Sequence, residues 1–427
     1  MRKHSYVSAE KFILSREFFG MKLGLENITE FLSYIDNPQN KYLTIHISGT
    51  NGKGSTASIL AAIFQENGYK TGLFTSPHLV SLRERIRVNG NLIRKNSVTG
   101  FINRNRSELS RRKLSFFELI SAMAFDYFSR QKVDVAIIET GLGGRLDATN
   151  VLSPILTITT GISKDHSEIL GKSLPIIAKE KAGIIKPTVP HLVGLVPENT
   201  LKVFKEKCKK EKSKLYKLSQ NHFKINPSKM TLDYNDDDIK LNNVSTSLNG
   251  IFQLHNTALS IKAVKILKQS GLKLSWNKVR KALNEVSWQG RFQIIENKSK
   301  PKIILDVSHN VEGIDAFVKS YQMIFGEKKA EIITGFVKRK EHQKMFDKLG
   351  GIAKKINIVP LSTRRSVDLD EMIENIHWRK SKIKKYATLK TAYKNCLKNS
   401  FSDDIIIIIG SHYLIGEFFE KYKNYGF

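Results

Sequence analysis

The chain of 427 residues has little cysteine, with only Cys208 and Cys396. Two cysteines cannot form the disulfide framework of a small secreted protein or the ligand set of a structural zinc site, so we expect a reducing compartment. The N-terminal stretch MRKHSYVSAEKFILSREFF lacks the apolar segment of a signal peptide. The longest isoleucine run, Ile405 to Ile409, is too short to cross a bilayer. These absences predict a soluble cytoplasmic protein without a membrane partner.

Acidic residues are also scarce compared with basic ones. The chain has 40 Asp and Glu against 70 Lys and Arg, which gives a net charge of +30. Such an excess could indicate binding to nucleic acid, to an acidic membrane surface or to anionic substrates. However, the basic residues are dispersed, and the densest run, Lys202 to Lys217, contains two Glu and is typical of a solvated helix. We therefore interpret most of the charge as solvated surface and expect no nucleic-acid partner.

Length and hydrophobic pattern together predict two α/β domains. A single hydrophobic core rarely extends over 427 residues. Short apolar runs such as Val133 to Thr140 alternate with helical patterns throughout, and near-continuous apolar strands suit a parallel sheet that is covered on both faces. The polar, turn-rich stretch from Lys217 to Asn249 is expected to wrap the outside of the first domain. We place the domain boundary near Gly290, so that the domains comprise 1–290 and 291–427.

The stretch IHISGTNGKGSTAS, which begins at Ile45, passes from an apolar strand into a glycine-rich turn and then a helix. Backbone N–H groups in such a turn can approach an anion closely, and the following helix adds its positive N-terminal end. Lys53 could reach terminal phosphates, and Ser55 or Thr56 could contribute a hydroxyl. The usual spacing of a phosphate-binding loop is not met, because only two residues separate the first two glycines. An ordinary glycine-rich turn is therefore the alternative.

Other polar residues follow predicted strands. Glu139 ends the strand in VAIIETGLGGRLDATN, where open α/β sheets hold ligands, and its carboxylate could bind Mg²⁺. The four glycines nearby indicate a close approach of the backbone to a neighbouring group. His166 could be a metal ligand or proton carrier, although a lone histidine is more often incidental. Lys181, judged by its place in a helix alone, is expected to be a surface lysine. Three residues of the second domain could contact a nucleotide or could instead belong to a structural turn: Arg291, Asp306 and His309.

Seven motifs occur in a fixed order along the chain: GTNGKGS, SPHLVSLRERIRVNG, ETGLGGRLDATN, DHSEILG, EKAGIIKP, GRFQ and DVSHN. Over nearly the whole chain, this series resembles the folylpolyglutamate synthase and dihydrofolate synthase family of the Mur ligase superfamily. The resemblance implies a P-loop-type, mostly parallel sheet domain followed by a smaller Rossmann-like α/β domain. It also implies an ATP-dependent ligase of folate biosynthesis. Such an enzyme joins L-glutamate to dihydropteroate, and to the γ-carboxyl of tetrahydrofolates, through an acyl phosphate.

The resemblance further implies a set of site residues in this sequence. ATP would be bound by Asn51, Gly52, Lys53, Gly54, Ser55, Asn256, Arg291, Asp306 and His309. Two Mg²⁺ ions would be held by Ser76, Glu139, His166 and Lys181, the last as a carbamate formed with carbon dioxide. The catalytic residues would be Lys53, Lys181 and His166. The pterin would contact Leu23, Phe117, Glu118, Leu146, Asp147 and Ala148.

Some features leave alternatives open. Lys338, Arg339 and Lys340 stand where the family often has DKD, which puts the glutamate-side loop in doubt. The histidine in SPHL resembles enzymes with dihydrofolate synthase activity, but a monofunctional folylpolyglutamate synthase is an alternative. Another Mur-type amino-acid ligase is also an alternative, although a glycine loop that begins at residue 49 argues against a UDP-binding N-terminal domain. A nucleic-acid-stimulated NTPase would need a contiguous basic face with stacking aromatics, which the sequence does not show. We expect a monomer that acts on small-molecule substrates.

Overall fold

The computed structural model describes residues 5–19, 24–237, 239–296, 299–338, 340–374, 376 and 380–422. The chain forms two compact units. The first unit comprises Met1–Pro77, Leu82–Phe223 and Asn256–Glu285, and the second comprises His78–Ser81, Lys224–His255 and Val286–Phe427. The predicted α/β class, with a mostly parallel central sheet and a second sheet domain, is confirmed. The division into 1–290 and 291–427 stays a prediction.

An eight-stranded sheet forms the centre of the first unit, in the order β4-β3-β2-β5-β1-β6-β7-β8. Its strands are β1 (Leu43–Ser48), β2 (Thr71–Phe74), β3 (Ile86–Val88), β4 (Asn91–Leu92), β5 (Val135–Glu139), β6 (Leu156–Thr159), β7 (His191–Val193) and β8 (Leu215–Lys217). Strand β1 runs parallel to β5 and β6, with Ile47 opposite both Glu139 and Ile158. The carboxyl ends of these three strands therefore meet at one edge of the sheet. All residues of β5 and β6 are buried, as their apolar sequences predict.

The helices of the first unit cover this sheet. They are α1 (Tyr6–Ser15), α2 (Glu26–Tyr34), α3 (Lys53–Glu66), α4 (Lys95–Arg104), α5 (Arg106–Arg112), α6 (Phe116–Arg130), α7 (Ser167–Leu170), α8 (Leu174–Ala182), α9 (Glu198–Lys210), α10 (Ile251–Gln269, in this unit from Asn256 on) and α11 (Trp276–Glu285). A large core cluster forms where α6 packs, and it includes Phe74, Phe101, Phe125 and Ile138. Helix α6 begins with a capping box, in which Ser115 and Glu118 satisfy each other's backbone N–H groups.

A three-stranded sheet, in which β10 and β11 are antiparallel, comes from the polar segment that was expected to wrap the first domain. Its strands are β9 (Phe223–Asn226), β10 (Thr231–Asp236) and β11 (Ile239–Ser245), in the order β11-β10-β9. That expectation is wrong, because 224–255 belongs to the second unit. The end of the segment is attached there: Ile251 N donates to Ser320 Oγ at 3.0 Å, and the Phe252 ring packs 6.4 Å from the Phe292 ring.

The second unit is built on a six-stranded sheet in the order β12-β13-β17-β14-β15-β16. Its strands are β12 (Gln293–Ile295), β13 (Lys302–Asp306), β14 (Ala330–Thr334), β15 (Ala353–Ile358), β16 (Ile383–Lys385) and β17 (Ile405–Ile409). Its helices are α12 (Val311–Phe325), α13 (His342–Gly350), α14 (Leu369–Glu374), α15 (Leu389–Lys398) and α16 (His412–Lys421). Strands β13 to β17 pair in parallel, and β12 is antiparallel. In the part of the chain that the structure describes, no helix has the length and apolarity needed to span a membrane.

Candidate active site

The glycine-rich loop follows β1 and is held in place by backbone geometry. Gly52 has a φ of +86°, and a Cβ on it would lie 2.6 Å from Asn256 Oδ1. Glycine suits this position, because it adopts the left-handed conformation without strain and leaves room for the side chain of Asn256. The hydroxyl of Thr160, after β6, donates to Asn51 O at 2.7 Å. The structure therefore places the predicted residue Asn256 directly against the predicted phosphate loop.

Lys53 is the first residue of α3, and its ammonium group lies among oxygen atoms. Its Nζ donates to Gly49 O at 3.1 Å and to Thr50 O at 3.2 Å, and lies 3.9 Å from Glu139 Oε1. The side chain is 17% exposed. Gly54 and Ser55 are buried in the first turn of the same helix. The positive end of α3 and the ammonium group therefore both stand at the loop, as anion binding requires.

Glu139 ends β5 and is 3% exposed. Its Oε2 accepts a hydrogen bond from Ser76 N at 3.1 Å, and its Oε1 faces Lys53. Three residues predicted from separate motifs thus meet at one carboxylate, at the edge of the sheet where β1 and β5 end.

Lys181 lies on α8 and is 4% exposed, so the expectation of a surface lysine is wrong. Its Nζ donates to Gly49 O at 2.8 Å, the carbonyl that Lys53 also contacts. Burial, helped by the positive charge of Lys53, lowers the pKa of Lys181 to about 7, while the carboxylates of Asp165 and Asp147 act in the opposite direction. A large fraction of Lys181 is therefore neutral near pH 7.

The burial of Lys181 has a signal in the sequence that was missed. Ala178 and Ala182 flank it on α8 and are buried, so this lysine lies on the apolar side of its helix. A Cβ on Gly144 would lie 2.9 Å from the carbonyl oxygens of both Glu180 and Lys181. The glycines after β5 were interpreted as a sign of close backbone approach. At Gly144 this approach is to the backbone of α8.

His166 lies at the start of α7, with a left-handed φ of +50°. Its side chain is 38% exposed, and its Nε2 lies 4.0 Å from Asp165 Oδ1. The structure therefore places it at a more exposed position than Lys53, Glu139 and Lys181. Among the described residues, no group of three His, Cys, Asp or Glu side chains is close enough to hold a metal ion. The predicted metal ligands would accordingly need oxygen atoms from Ser76 and from a modified Lys181.

The predicted pterin residues lie in two segments of the first unit, apart from Leu23, which is outside the described residues. Phe117, on α6, packs its ring 5.8 Å from the Phe74 ring. Glu118 is 2% exposed, and its Oε2 accepts from Ser115 N at 2.8 Å, which makes it a cap of α6. Leu146 is half-buried and Ala148 is buried, both in the loop that follows β5.

Asp147 belongs to a buried network that includes His46, a residue not predicted from the sequence. Asp147 Oδ2 accepts from Leu142 N at 2.8 Å, and its Oδ1 accepts from the Thr149 hydroxyl at 2.5 Å. The Thr149 oxygen lies 2.8 Å from His46 Nε2 and can accept from it, because its own proton goes to Asp147. Burial raises the pKa of Asp147 and lowers that of His46 to about 3. The sequence does contain a signal for His46, because a histidine inside the largely apolar strand LTIHIS is unusual.

In the second unit, Asp306 ends β13 and is 1% exposed. Its Oδ2 accepts from Phe292 N at 2.8 Å and its Oδ1 accepts from Ser308 N at 2.7 Å. Burial raises the pKa of Asp306, and these hydrogen bonds and the charge of Arg291 oppose the shift. The carboxylate thus fixes the segment that carries Arg291 to the end of β13.

Arg291, His309 and His412 form a cluster at this edge of the second sheet. Arg291 Nη2 donates to His412 Nε2 at 3.3 Å, and the rings of His309 and His412 lie 5.5 Å apart. His309 Nδ1 donates to Val307 O at 3.0 Å. His412 was not predicted, although it follows the isoleucine strand β17 just as His309 follows β13.

Comparison with known proteins agrees with the seven motifs. Residues 47–264 match the Mur ligase middle domain family, and residues 290–412 match the Mur ligase, glutamate ligase domain family. The chain is 31% identical to a dihydrofolate synthase/folylpolyglutamate synthase of Bacillus subtilis, over 98% of this chain and 99% of the relative.

Solved structures are similar over the same length. The crystal structure of a folylpolyglutamate synthase from Thermotoga maritima has a TM-score of 0.84 at 29% identity, covering 99% of this chain and 98% of that chain. A bifunctional folylpolyglutamate synthase/dihydrofolate synthase with Mn, AMPPNP and L-glutamate bound has a TM-score of 0.87 at 25% identity, covering 99% of this chain and 100% of that chain. The likeness thus extends over both units, and this chain belongs to the dihydrofolate synthase/folylpolyglutamate synthase family of Mur ligases.

Proposed function

We propose that this chain joins L-glutamate to dihydropteroate, and to the γ-carboxyl of tetrahydrofolates, at the expense of ATP. The observation that carries the proposal is the meeting of Lys53, Glu139 and Lys181 around the glycine loop of the first unit. This arrangement combines an anion-binding helix end with a buried carboxylate. The relatives named above act in folate metabolism by name, and this chain matches them over both units.

The first half of the proposed reaction is phosphoryl transfer. A carboxylate does not condense with an amine in neutral water, because its oxygen is a poor leaving group. The substrate carboxylate oxygen attacks the γ-phosphorus of ATP, the bond to the bridging oxygen breaks, and ADP leaves with the electron pair. This step needs positioning and neutralisation of charge more than covalent help. We assign these tasks to the backbone of Asn51–Ser55 and to the ammonium group of Lys53, with Asn256 beside the loop.

The second half forms the amide bond. The amine of glutamate attacks the acyl carbon of the acyl phosphate, and phosphate leaves with the electrons of the carbon–oxygen bond. The amine loses its proton to solvent. Because the acyl phosphate is prone to hydrolysis, the enzyme must exclude water from it. In the second unit we assign nucleotide contacts to Arg291 and His309, with Asp306 as the residue that positions Arg291.

The residues present fit a divalent cation. Glu139 offers a buried carboxylate whose Oε1 already faces a positive charge, the Lys53 ammonium at 3.9 Å. We propose that it binds Mg²⁺ together with Ser76, His166 and Lys181, in two sites. Bound Mg²⁺ would neutralise the phosphate oxygens during transfer. A relative of this family has been crystallised with Mn and AMPPNP.

Lys181 can serve as an oxygen ligand only after modification, and we propose that it is carbamylated. The neutral amine attacks the carbon of carbon dioxide, a nitrogen–carbon bond forms, one carbon–oxygen π pair moves to oxygen, and a proton leaves to solvent. This chemistry needs an unprotonated lysine, and a pKa lowered to about 7 by burial supplies it. The product places an anion beside Lys53.

The substrate side of the proposal rests on the loop after β5. We propose that Phe117, Leu146, Asp147 and Ala148 contact the pterin, with His46 and Thr149 orienting the Asp147 carboxylate. Leu23 is proposed on the family resemblance alone. Glu118 also belongs to the proposed set, although its hydrogen bonds to Ser115 already give it a structural task.

The decisive experiment is phosphate release by purified enzyme with ATP and L-glutamate, with dihydropteroate and tetrahydrofolate offered separately. We expect release that requires both glutamate and either pterin, and a Lys53→Met variant that releases none. Turnover with tetrahydrofolate alone would identify a monofunctional folylpolyglutamate synthase. No turnover with either pterin would contradict the proposal and favour another Mur-type amino-acid ligase.

A further inference from the structure

Two basic segments of the second unit are joined at the carboxyl edge of its sheet. The first follows β14 and contains Lys338, and the second is a turn after β15 that contains Arg364 and Arg365. Strands β14 and β15 are parallel neighbours, so their carboxyl ends lie side by side. We call these two segments, with their basic residues Lys338, Arg364 and Arg365, the basic loop pair.

Backbone hydrogen bonds fix the two segments to each other. Val337 and Ser366 form an antiparallel bridge, and Lys338 N donates to Arg365 O at 2.8 Å. The turn is closed by Ser366 N, which donates to Thr363 O at 3.0 Å. The three basic side chains are therefore presented by an ordered backbone, and their positions do not depend on contacts of the side chains themselves.

The charges of the basic loop pair are exposed, and the described part of the chain provides no ion-pair partner for them. All three side chains are exposed, and within the described ranges none makes an ion pair or a side-chain hydrogen bond to a carboxylate. Two nearby charges of opposite sign, Glu371 and Lys340, both act on His342. Two acidic residues of the neighbouring segments pair with other lysines, and a third caps a helix. Glu341 pairs with Lys344, Asp370 pairs with Lys385, and the Asp368 carboxylate accepts from Asp370 N at 2.9 Å.

Exposed basic side chains carried by two joined segments add their potentials, so this arrangement favours an anionic ligand. Guanidinium groups are suited to carboxylates, which they can bind with two parallel hydrogen bonds. The location agrees with ligand binding, because open α/β sheets hold ligands at the carboxyl ends of their strands. Asp306, which fixes the Arg291 segment, ends β13 at the same edge, and β17 lies between β13 and β14.

We propose that the basic loop pair binds the carboxylates of the polyglutamate tail of a folate substrate. The inference rests on the proposed function, because successive γ-linked additions of glutamate make a polyanion. Each added residue contributes one free α-carboxylate, and the last residue keeps its γ-carboxylate. A tail of three glutamates therefore carries four carboxylates, whereas dihydropteroate carries one. The subsite would favour substrates that already carry a tail.

The test compares substrates of different tail length in a double variant, Arg364→Ala with Arg365→Ala. Phosphate release is measured with dihydropteroate, monoglutamyl tetrahydrofolate and γ-linked triglutamyl tetrahydrofolate. We expect KM for the triglutamyl substrate to rise about ten-fold, as loss of charged hydrogen bonds predicts. KM for dihydropteroate and kcat should be unchanged. The matched control, Lys390→Ala with Lys394→Ala, removes two exposed charges from α15 of the same unit and should change none of these values.

Two further measurements separate charge from shape. An Arg364→Lys, Arg365→Lys variant should recover most of the lost affinity, and added salt should raise KM for the triglutamyl substrate more in the wild type than in the alanine variant. Unfolding midpoints of all variants should match that of the wild type, because the backbone bonds of the turn are kept.

Several results would overturn the subsite. An equal rise in KM for all three pterins would show an effect on the shared part of the substrate, and a rise in KM for ATP alone would show a nucleotide contact. Loss of binding to a single-stranded oligonucleotide without any change in tail dependence would show a nucleic-acid surface. Wild-type turnover with no response to tail length would overturn the subsite alone. Absence of pterin-dependent turnover in the wild type would overturn the proposed function and the subsite with it.

Discussion

The two units place their charged groups in opposite environments. In the first unit, Glu139 and Lys181 are 3% and 4% exposed, and both form hydrogen bonds with the backbone. Glu139 accepts from Ser76 N, and Lys181 donates to Gly49 O. In the second unit, Arg291 and His309 are only half-buried, and Arg364 is exposed. Among the proposed site residues of the second unit Asp306 differs, since it is buried and accepts hydrogen bonds from the backbone.

This difference corresponds to two kinds of chemistry. Burial changes what a charged group can do, because it shifts pKa values and strengthens electrostatic interactions, as at Lys181. The guanidinium and imidazole groups of the second unit are more accessible to solvent, and such groups are suited to binding and releasing anions. The first unit is thus organised for reactivity and the second for recognition. Four predictions test this contrast.

The largest effect is expected from Lys181→Ala. It removes the group that we propose to carry the carbamate, so glutamate-dependent phosphate release should fall at least about 100-fold. Added acetate should partly restore the activity by supplying the missing carboxylate. The control is Lys179→Ala, an exposed lysine on the same helix, which should behave as wild type. Turnover at the wild-type rate in Lys181→Ala would refute the proposed role.

The second prediction concerns the pH dependence of stability. The folded pKa of Lys181, about 7, lies below its ordinary value of 10.5, so the folded state binds fewer protons between these values. The contribution of Lys181 to stability is therefore complete above pH 10.5 and is lost as the pH falls towards 7. In buffer free of carbon dioxide, the stability of the wild type relative to Lys181→Met should rise by up to about 1.4 kcal/mol per pH unit in this window.

Urea unfolding of the two proteins at several pH values between 7 and 9 measures this slope. Lys179→Met is the control, and its stability relative to the wild type should not depend on pH. A slope of zero for Lys181→Met would mean that the lysine is charged in the folded state.

The third prediction tests the buried Asp306 of the second unit. Asp306→Asn replaces one of two acceptor oxygens with an NH₂ group that faces a backbone N–H. The free energy of unfolding should fall by about 1–3 kcal/mol, because one buried donor loses its partner. Denaturant unfolding measures the change. Asp403→Asn, which removes an exposed carboxylate 3.5 Å from Lys328, should have a much smaller effect. Equal effects would show that burial of Asp306 is of no consequence.

The smallest effect is expected at His412. His412→Phe removes the acceptor that holds Arg291, so KM for ATP should rise about five-fold while kcat is unchanged. His412→Gln keeps an acceptor and should have a weaker effect. Tyr413→Phe, at the exposed next residue, is the control. A change in kcat, or equal effects of Phe and Gln, would argue against positioning of Arg291 by His412.

Much of this arrangement was predictable from the sequence. Apolar runs predicted the buried parallel strands β5 and β6, and strand ends predicted where Glu139 and Asp306 lie. The capping box at Ser115 and Glu118 was also readable, since it has the spacing S-x-x-E before an apolar run. That signal would have identified a structural task for Glu118 from the start.

Other features could not be predicted, because they depend on contacts between distant parts of the chain. The alanines beside Lys181 indicate that it is buried, but its contact with Gly49, more than a hundred residues earlier, could not be predicted. The assignment of β9 to β11 to the second unit likewise depends on contacts such as that between Ile251 and Ser320. Local pattern gives the type of an element, and only tertiary packing decides which neighbour it meets.

The carbonyl of Gly49 accepts from the amino groups of two lysines at once, and this sharing has a thermodynamic consequence. Carbamylation would leave Lys181 with one N–H and an anionic carboxylate, which would attract the Lys53 ammonium group. The electrostatic environment of Lys53 would then change. The uptake of carbon dioxide and the binding of nucleotide by the first unit would therefore be coupled. Linkage is reciprocal: whatever factor carbon dioxide applies to nucleotide affinity, nucleotide must apply to the uptake of carbon dioxide.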